Sequence, residues 1–393
     1  MLNRPGGQEP TCLLIADISG YTEYLSGVEI DHAQDILADL IGTVVTSLRP
    51  SFRLAKLEGD AAFCFAPADK IDGSLILDTI EHCYFSFRRR RRDVRQATSC
   101  ECNACTRIPD LNLKFVAHHG TVLRQKVAGR EELFGSDVIV VHRLLKNDIV
   151  ARLGIAAYAL VTDALVREMG IDPGPLGMKR HVESYEHIGP VEAWVHDLEA
   201  RWQEEDARKR VYLGPADAFV QDTTKVPAPP QVVWEYLTTP GGRMRWQGNL
   251  GVTAVEQKPG RGGRRGVGTV NHCMHGPEAS IEEILDWRPF DYLTDRSTMP
   301  GGAQFLSTFE LEPTPDGTLV HARFGRPTKI KGREMLEQLR VGFEQALEIG
   351  GQSLAAALAT EERARPAAGE EPPLPAPRKD GVLAGVGPLR IVG

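Results

Sequence analysis

The sequence predicts an α+β protein with two folded domains and a disordered C-terminal tail. Three observations lead to this prediction. The chain has 393 residues, which exceeds the roughly 100–200 residues of a typical domain. Strand and helix patterns alternate in its first half, whereas strand patterns and one long helical pattern fill most of the second. Residues 361–393 are rich in Pro, Ala, Gly and charged side chains, which cannot bury enough apolar surface to fold.

The overall composition excludes several classes of protein. Hydrophobic residues make up 42% of the chain and charged residues 25%, as in soluble globular proteins. No apolar run approaches the roughly 18 residues of a membrane span, and the N-terminal segment lacks the pattern of a signal peptide. A net charge of −7 argues against nucleic acid as a partner. We therefore expect a cytoplasmic protein with reduced cysteines.

The first domain is predicted over residues 11–200. Cys12–Ala16 is continuous and apolar, as in a strand buried on both faces. A helix follows, because apolar side chains recur every three or four residues from Ala33 to Val45. Strands Phe52–Leu57 and Ala61–Phe65 are joined through Glu58-Gly59-Asp60, where glycine allows a tight turn. The remaining predicted elements are a helix from Ile76 to Phe87, strands Leu111–Ala117 and Thr121–Val127, and a helix over Val138–Lys146.

A charged connector, residues 201–213, leads to a second domain predicted over residues 214–360. This domain opens with a strand, Thr223–Val226, and a short helix that begins at Pro229-Pro230. About six strand-like runs follow between residues 250 and 326. A long amphipathic helix completes the domain, with apolar positions at Leu336, Leu339, Phe343, Leu347 and Leu354.

Two carboxylates of the first domain stand at strand ends. Asp17 follows the buried strand, and Asp60 lies just beyond the hairpin turn. Such positions can lie side by side in an antiparallel pair, and two carboxylates at that range suit Mg²⁺ bound with a substrate phosphate. The run Ser19-Gly20-Tyr21-Thr22 then opens a helix whose N–H groups could hold a polyphosphate. The alternative is an N-cap at Asp17 and an ordinary turn residue at Asp60.

Four segments, in order, resemble the class III nucleotidyl cyclase homology domain over nearly all of residues 11–198. Ala16–Thr22 resembles the family's first metal-binding motif, and Lys56–Asp60 resembles its lysine-x-x-glycine-aspartate hairpin. Phe115–Val122, which contains His119-Gly120, resembles a strand pair of the family. Phe134-Gly135, Val138 and Arg143-Leu144 resemble its last pattern. The resemblance implies a ferredoxin-like, palm-type fold, and it is strongest to a bacterial cyclase-like family of unknown function with a similar cysteine-rich insert.

The resemblance also implies an activity, the Mg²⁺- or Mn²⁺-dependent conversion of ATP to cyclic AMP by a homodimer. In this implied site the metal ligands are Asp17, Ile18 and Asp60, and Arg143 stabilises the transferred phosphoryl group. The implied nucleotide contacts are Lys56, Glu132 and the segment Ser19 to Thr22.

Two departures from the family weaken the implied catalysis. Ile139 stands where the family has a transition-state asparagine, and the side chain of Ile139 can donate no hydrogen bond. Glu186-His187-Ile188-Gly189 replaces a basic segment that supplies a triphosphate lysine. The alternative is therefore a catalytically degenerate module that binds a nucleotide without turning it over.

An insert between the two halves of the first domain carries cysteines and arginines. Cys100, Cys102 and Cys105 could coordinate Zn²⁺ if Cys83, His82 or His118 supplied a fourth ligand; the alternative is a loop of reduced thiols.

The arginine run Arg88–Arg92 is interpreted as a solvated helix end, with binding of a polyanion as the alternative. His118 and His119 lie where a strand ends, and one of them is interpreted as a packed or hydrogen-bonded histidine, with a general base as the alternative.

The second domain resembles the START-like (SRPBCC) helix-grip fold. The resemblance rests on Val226–Trp234, Arg245-Trp246, Gly260–Gly268 and Trp287–Phe290, together with the long last helix. It implies an apolar cavity for a hydrophobic small molecule that would regulate the first domain. Candidate lining residues are Trp246, Met274, Met299 and Phe305, with ordinary core packing as the alternative.

A catalytic START-like domain has less support in the sequence, because no acid–base pair is recognisable in it. His272-x-x-His275 is a weak metal motif.

Overall fold

The computed structural model describes residues 8–26, 28, 30–97, 102–127, 130–330 and 332–364. It divides into two compact units between Ala207 and Arg208. Both units combine helices with an extended sheet, so the predicted α+β class is confirmed. In the described part of the chain, no helix is both long and apolar enough to cross a membrane. The predicted tail lies outside the described residues except at its start, where the last helix continues through Ala364.

The first unit is built on a mixed eight-stranded sheet with the strand order β2-β3-β1-β4-β6-β8-β7, in which β5 pairs with β4. Its elements are β1 (Glu9–Ser19), α1 (Tyr21–Ser26), α2 (Ile30–Leu48), β2 (Arg53–Glu58), β3 (Ala61–Pro67), α3 (Gly73–Ala97), α4 (Asn103–Thr106), β4 (Asn112–Val127), β5 (Arg130–Phe134), α5 (Ser136–Arg143), α6 (Ile149–Leu153), β6 (Tyr158–Thr162), α7 (Asp163–Glu168), β7 (Lys179–Tyr185), β8 (Gly189–Asp197) and α8 (Leu198–Ala207).

Strand β1 lies inside the sheet and pairs with β3 on one side and β4 on the other. Its residues Cys12–Ala16 are fully buried, as the continuous apolar run predicts. The hairpin β2–β3 brings its turn to the end of β1, where the Ile18 N–H donates to the Asp60 carbonyl oxygen over 3.2 Å. Topology therefore places Asp17 beside the hairpin turn.

Two predicted boundaries in the first unit are wrong. The strands predicted over Leu111–Ala117 and Thr121–Val127 form one strand, β4, which pairs with β1 over its first part and with β5 over its second. The pairing with β1 reaches Val122 and the pairing with β5 begins at Leu123, so Gly120 interrupts neither ladder. The helix α3 also continues for ten residues beyond Phe87, so the arginine run lies inside it.

The arginines of α3 are occupied by side chains of the same unit. Arg90 donates to Asp39 over 2.6 and 2.8 Å, and Arg88 is paired with Glu199. The guanidinium groups of Arg88 and Arg89 lie over the Trp202 ring, 5.3 and 5.5 Å from its centroid. These contacts hold α3 within its unit. They give the arginine run a structural role, whereas the sequence predicts a solvated helix end.

The second unit is built on an antiparallel seven-stranded sheet with the strand order β10-β11-β12-β13-β14-β15-β9. Its elements are β9 (Val220–Val226), α9 (Pro230–Thr238), α10 (Pro240–Gln247), β10 (Ala254–Lys258), β11 (Val270–His275), β12 (Glu278–Arg288), β13 (Tyr292–Thr298), β14 (Gln304–Thr314), β15 (Gly317–Phe324) and α11 (Arg333–Ala364). The six strands β10–β15 and the long last helix confirm the predicted helix-grip pattern.

Candidate functional site

The first candidate site is the end of β1, where Asp17 and Asp60 meet. Asp17 lies opposite Ala61 of β3 and Lys114 of β4. Asp60 follows Gly59, whose φ of +70° makes the tight turn that the sequence predicts. Ile18 is 1% exposed as a whole residue, and its aliphatic side chain has no ligand atom, so a role in metal binding would rest on its backbone carbonyl group. We call Asp17, Asp60 and Lys114 the acidic cluster.

The acidic cluster carries more negative than positive charge. Lys114 Nζ lies 3.1 Å from Asp17 Oδ2. Burial first, and then the charge of Asp17, raise the pKa of Asp60, while Lys114 acts in the opposite direction. The two carboxylates therefore repel each other, and one ammonium group does not balance both. A hard divalent cation with oxygen ligands, such as Mg²⁺, fits this donor set.

The predicted phosphate segment lies directly after β1. Ser19 is half-buried, Gly20 accepts a hydrogen bond from the Tyr24 N–H over 2.8 Å, and Thr22 is exposed. The helix α1 that begins at Tyr21 has only six residues. Such a short helix offers little dipole to an anion, so this segment adds backbone donors at most.

Lys56 belongs to a second group of charges on the hairpin. Lys56 Nζ lies 2.9 Å from Glu58 Oε1, and His142 Nε2 lies 3.0 Å from Glu58 Oε2. Burial acts to raise the pKa of Glu58, but the hydrogen bonds and charges of Lys56 and His142 outweigh it and lower the pKa. His142 is held further by its Nδ1, which lies 2.7 Å from the Val138 carbonyl oxygen. Glu58 thus joins the hairpin to α5.

The other predicted nucleotide residues lie on β5 and α5. Arg143 is exposed and, among the described residues, forms no ion pair. Ile139, one helical turn before it, is 56% exposed. Glu132 is half-buried on β5 opposite Gln125. In the part of the chain that the structure describes, no hydrogen bond or ion pair joins Arg143 or Glu132 to the acidic cluster. The structure therefore brings Asp17 and Asp60 together and leaves Arg143 separate.

His118 is a packed histidine, as the sequence predicts. Its Nδ1 lies 2.9 Å from Thr162 Oγ1, and its Nε2 lies 3.2 Å from Asp137 Oδ1. Burial lowers the pKa of His118, and Asp137 opposes that shift. Asp137 Oδ2 also accepts the Thr121 N–H over 2.7 Å. A Cβ on Gly120 would lie 2.3 Å from Asp137 Cγ, so this glycine makes room for the carboxylate.

The zinc site remains a prediction, because Cys100 lies outside the described residues. Cys102 precedes α4, and Cys105 is 1% exposed within it. Of the proposed fourth ligands, His118 already faces Thr162 and Asp137, and Cys83 donates to the Val44 carbonyl oxygen over 3.7 Å. Burial raises the pKa of the Cys83 thiol, which disfavours the thiolate that a metal needs.

The second candidate site is a narrow cavity inside the START-like unit, with room for about one water molecule. Its walls include Trp246, Trp287 and Phe309, but the polar side chains of Arg243 and Glu282 line it as well. Arg243 binds Glu282 with two contacts of 2.6 and 2.8 Å and is 6% exposed. The cavity is therefore apolar only in part, unlike the predicted one.

Asp295 adds a further carboxyl group to this cavity. It accepts a hydrogen bond from Ser297 Oγ over 2.8 Å and is 3% exposed. Burial and the charge of Glu282 raise the pKa of Asp295 to about 8. At neutral pH Asp295 is then mainly a neutral acid beside the Arg243–Glu282 ion pair. We call Arg243, Glu282 and Asp295 the buried cluster.

The four predicted ligand-pocket residues lie in different places. Trp246 lines the cavity. Met299 and Phe305 pack with Phe343 in a separate apolar cluster under α11. Met274 follows Cys273, whose Sγ donates to Glu282, so Met274 points to the other face of β11. Because side chains alternate between the two faces of a strand, His272 and His275 also lie on opposite faces of β11.

Sequence reasoning missed Lys114, His142, Asp137 and the buried cluster. Lys114 could have been found, because it aligns with Asp17 once two antiparallel strands are assumed. His142 directly precedes Arg143 and gave no separate signal. The partners of the buried cluster are 39 and 13 positions apart in the chain, from Arg243 to Glu282 and from Glu282 to Asp295, and no local pattern links them.

Two family models match the chain. Residues 37–152 match a model described as "Protein of unknown function (DUF2652)", and residues 218–359 match one described as "Polyketide cyclase / dehydrase and lipid transport". The uncharacterized protein Rv2561/Rv2562 of Mycobacterium tuberculosis is 38% identical over 131 residues, or 33% of this chain. The chain spans 59% of the length of that relative. The matches confirm the predicted pairing of a family of unknown function with a START-like domain.

Solved structures similar to this chain include two cyclases. The guanylyl cyclase Cya2 is 11% identical, with a TM-score of 0.37 over 49% of this chain and 93% of that chain. The adenylyl cyclase CyaB from P. aeruginosa is 14% identical, with a TM-score of 0.35 over 53% of this chain and 98% of that chain. DynU16, from the dynemicin biosynthetic locus, is 22% identical, with a TM-score of 0.29 over 36% of this chain and 47% of that chain. None of these likenesses carries an activity over to this chain.

Proposed function

We propose that the first domain binds a nucleoside triphosphate through a divalent cation held by Asp17 and Asp60. The observation that supports the proposal most directly is the acidic cluster, where two carboxylates face one lysine at a strand end. A bound Mg²⁺ or Mn²⁺ would remove the repulsion between Asp17 and Asp60 and would neutralise phosphate charge. The carboxylates hold the cation, and Lys114 fixes the position of Asp17.

The hairpin and α5 supply candidate contacts for the rest of the nucleotide. Lys56 is 47% exposed, and Glu58 orients it, so its ammonium group is available to a hydrogen-bond acceptor on a base. The resemblance to class III cyclases supports an adenine at this position. Arg143 is exposed on α5 and offers a permanent charge to phosphate oxygens. As the resemblance to class III cyclases implies, we propose that Arg143 contributes to the acidic cluster of a second copy of the chain in a homodimer.

Cyclisation of the nucleotide is a second candidate function. The exposed guanidinium of Arg143, which forms no ion pair with any residue that the structure describes, favours it, since that group is suited to stabilising charge on a transferred phosphoryl group. Ile139 argues against efficient turnover, because its exposed position carries no hydrogen-bond donor where the family has an amide. We therefore propose binding as the primary role and slow cyclisation as the secondary one.

For the second domain we propose a sensory role. Apolar walls around the buried cluster suit a small molecule with an apolar body and a hydrogen-bonding group. The narrowness of the cavity implies that side chains move when such a ligand enters. The neutral carboxyl group of Asp295 also offers a proton donor, which the sequence analysis did not find.

Binding of a fluorescent ATP or GTP analogue in the presence of Mn²⁺ tests the proposal. We expect saturable, metal-dependent binding to the full chain and at least a ten-fold loss of affinity in Asp17→Asn, roughly the cost of one lost charged contact. Asp69→Asn is the control, because Asp69 is an exposed aspartate of the same domain. Metal-independent binding, or equal affinity in Asp17→Asn, would contradict the proposal.

Product analysis separates the second candidate from the first. Incubation with ATP or GTP and Mn²⁺ should yield a cyclic monophosphate that is absent in Asp17→Ala and more abundant in Ile139→Asn. Binding without a product in either Ile139 form would leave nucleotide sensing as the function.

A further inference from the structure

A group of metal-capable side chains lies apart from the acidic cluster, at the edge strand β7. Asp148 precedes α6, and His181 and Glu183 lie two residues apart on β7, so their side chains share one face of the sheet. One ligand atom from each of the three lies within 4.8 Å of the other two. Among the described residues, no other group of three meets this criterion. We call these residues the β7 triad.

The distances in the triad are close to those of a metal shell. His181 Nε2 lies 2.6 Å from Glu183 Oε1 and 3.5 Å from Asp148 Oδ1. In a tetrahedral shell with bonds of about 2.1 Å, neighbouring ligand atoms are about 3.4 Å apart. Asp148 and His181 already have this spacing. Glu183 would need to move outward by less than about 1 Å, which small rotations of its side chain allow.

Burial and charge in the triad indicate a missing cation. The His181 and Glu183 side chains are 3% and 13% exposed. The Asp148 side chain reaches the surface with Oδ2, which lies 2.6 Å from Arg152, but its Oδ1 is inaccessible to solvent and accepts no hydrogen bond. A buried acceptor without a donor costs about 1–3 kcal/mol. Arg152 offsets the charge of Asp148, and Glu183 Oε1 accepts the Asp148 N–H over 3.1 Å, so Asp148 Oδ1 is the oxygen that a cation would satisfy.

We propose that Asp148, His181 and Glu183 bind a divalent transition-metal ion, with Zn²⁺ as the preferred ion. One imidazole nitrogen and two carboxylate oxygens match the ligands of zinc, whereas Mg²⁺ prefers an all-oxygen shell. Three protein ligands leave one position of the shell open to water or substrate. When the ion binds Nε2 of the neutral imidazole, the proton now shared with Glu183 moves to Nδ1 or to solvent.

The triad is distinct from the proposed nucleotide site but lies on the same sheet. Tyr158 of β6 donates to Asn147 Oδ1 over 2.9 Å, one residue before Asp148. Burial raises the pKa of Tyr158 to about 12, and the charges of Asp17 and Glu183 both contribute in the same direction. Tyr158 thus lies within electrostatic range of both sites, so a test must count the two metal sites separately.

Cobalt provides the probe, because Co²⁺ in a zinc-type site absorbs visible light and Mg²⁺ does not. We expect the full chain to bind one Co²⁺ with a tetrahedral-type spectrum, which an equivalent of Zn²⁺ bleaches and excess Mg²⁺ leaves intact. Asp148→Asn and Glu183→Gln should each weaken Co²⁺ binding by more than the roughly 10- to 100-fold that a lost outer-shell partner costs.

Two variants serve as controls. Asp163→Asn removes an aspartate that pairs with Arg167 four residues later, as Asp148 pairs with Arg152, and it should leave the spectrum unchanged. Asp17→Asn should also leave it unchanged. Absence of the spectrum in the wild type, its persistence in both triad variants, or its loss in Asp17→Asn would overturn the proposal. Circular dichroism identifies any variant that fails to fold, and the other triad variant then decides the result.

Discussion

The two domains hold their charged clusters in opposite ways. In the acidic cluster of the first domain, Asp17 and Asp60 lie near the end of β1, partly exposed, and Lys114 pairs with Asp17 but not with Asp60. In the buried cluster of the second domain, Arg243 and Glu282 are paired inside the protein, and Asp295 avoids an unbalanced charge by holding a proton. The difference is one of solvent access: an open cluster can take its missing charge from solution, whereas a closed one must balance itself.

This contrast predicts opposite effects of removing a charge in the two places. Loss of a charge from the buried cluster should destabilise its domain strongly, because the partner stays behind in the interior. Loss of a carboxylate from the acidic cluster should stabilise the metal-free protein slightly. Four predictions test the contrast and the structure around it.

The largest effect is expected for Arg243→Met. Methionine fills much of the same space but leaves the Glu282 carboxylate buried without its counter-charge, which costs about 3–5 kcal/mol of unfolding free energy. Denaturant unfolding of the full chain, followed through the tryptophans of the second domain, measures the loss.

The matched control is Arg340→Met, since Arg340 forms comparable pairs with Glu337 and Glu344 on the exposed face of α11. That change should have no measurable effect on the unfolding free energy. Similar losses in both variants would show that burial does not distinguish the two ion pairs.

A smaller effect is expected for Gly120→Ala, which lies on β4 opposite Thr11, six residues beyond Lys114. The new Cβ would overlap the Asp137 carboxyl group and displace it from Thr121 and His118, at a cost of about 1–3 kcal/mol. Gly42→Ala is the control, because no atom lies within 4 Å of its added Cβ in the interior of α2. Alanine there should stabilise the helix by about 0.5–1 kcal/mol. Thermal unfolding of both variants should therefore show shifts of opposite sign.

The sequence predicts the helices and strands of both domains better than it predicts their clusters of charged side chains. Periodicity identifies β1 and α2 because burial imposes a local repeat on apolar residues. The position of Asp17 and Asp60 follows as well, since a strand end and a hairpin turn are local features.

The clusters themselves depend on contacts between distant parts of the chain. Arg243, Glu282 and Asp295 lie on α10, β12 and β13, and their meeting depends on sheet register that no short pattern encodes. The β7 triad depends on a contact between a loop and an edge strand. The sequence predicts two strands in place of β4 for the same reason. Gly120 makes room for Asp137, which lies 17 positions later in the chain, and no local pattern indicates this contact.

The third prediction concerns the pH dependence that Asp295 gives to the second domain. Its pKa of about 8 in the folded protein exceeds the value near 4 that it has when unfolded. Well below pH 4, Asp295 is protonated in both the folded and the unfolded protein. Between pH 4 and pH 8 only the folded protein keeps this proton, so the free energy of unfolding falls as the pH rises. The slope between these limits is up to about 1.4 kcal/mol per pH unit.

Asp295→Asn should abolish this slope, because the amide does not titrate. Unfolding free energies of the second domain at pH 5.5 and 7.5 measure it in both proteins, and these two pH values lie inside the window between the two pKa values of about 4 and 8. The result that contradicts the prediction is a wild-type protein whose stability, relative to the variant, is the same at both pH values. It would mean that Asp295 is ionised in the interior and that the buried cluster carries an unbalanced charge.

The smallest effect is expected for Asp60→Asn, and its sign is what matters. Burial and the charge of Asp17 raise the pKa of Asp60, so at neutral pH the ionised carboxylate destabilises the folded state relative to the unfolded one. Removing that charge should stabilise the metal-free protein by less than about 1 kcal/mol, since solvent screens a half-exposed group.

Asp60→Asn should also lose the rise in Tm that Mg²⁺ with a nucleotide gives the wild type, because binding stabilises only the state that binds. Asp69→Asn should show neither change. If metal-free Asp60→Asn is less stable than the wild type, Asp60 stabilises the hairpin turn and does not bind a cation. A gain in stability together with loss of the ligand effect is expected of a binding site whose charges destabilise the unbound protein.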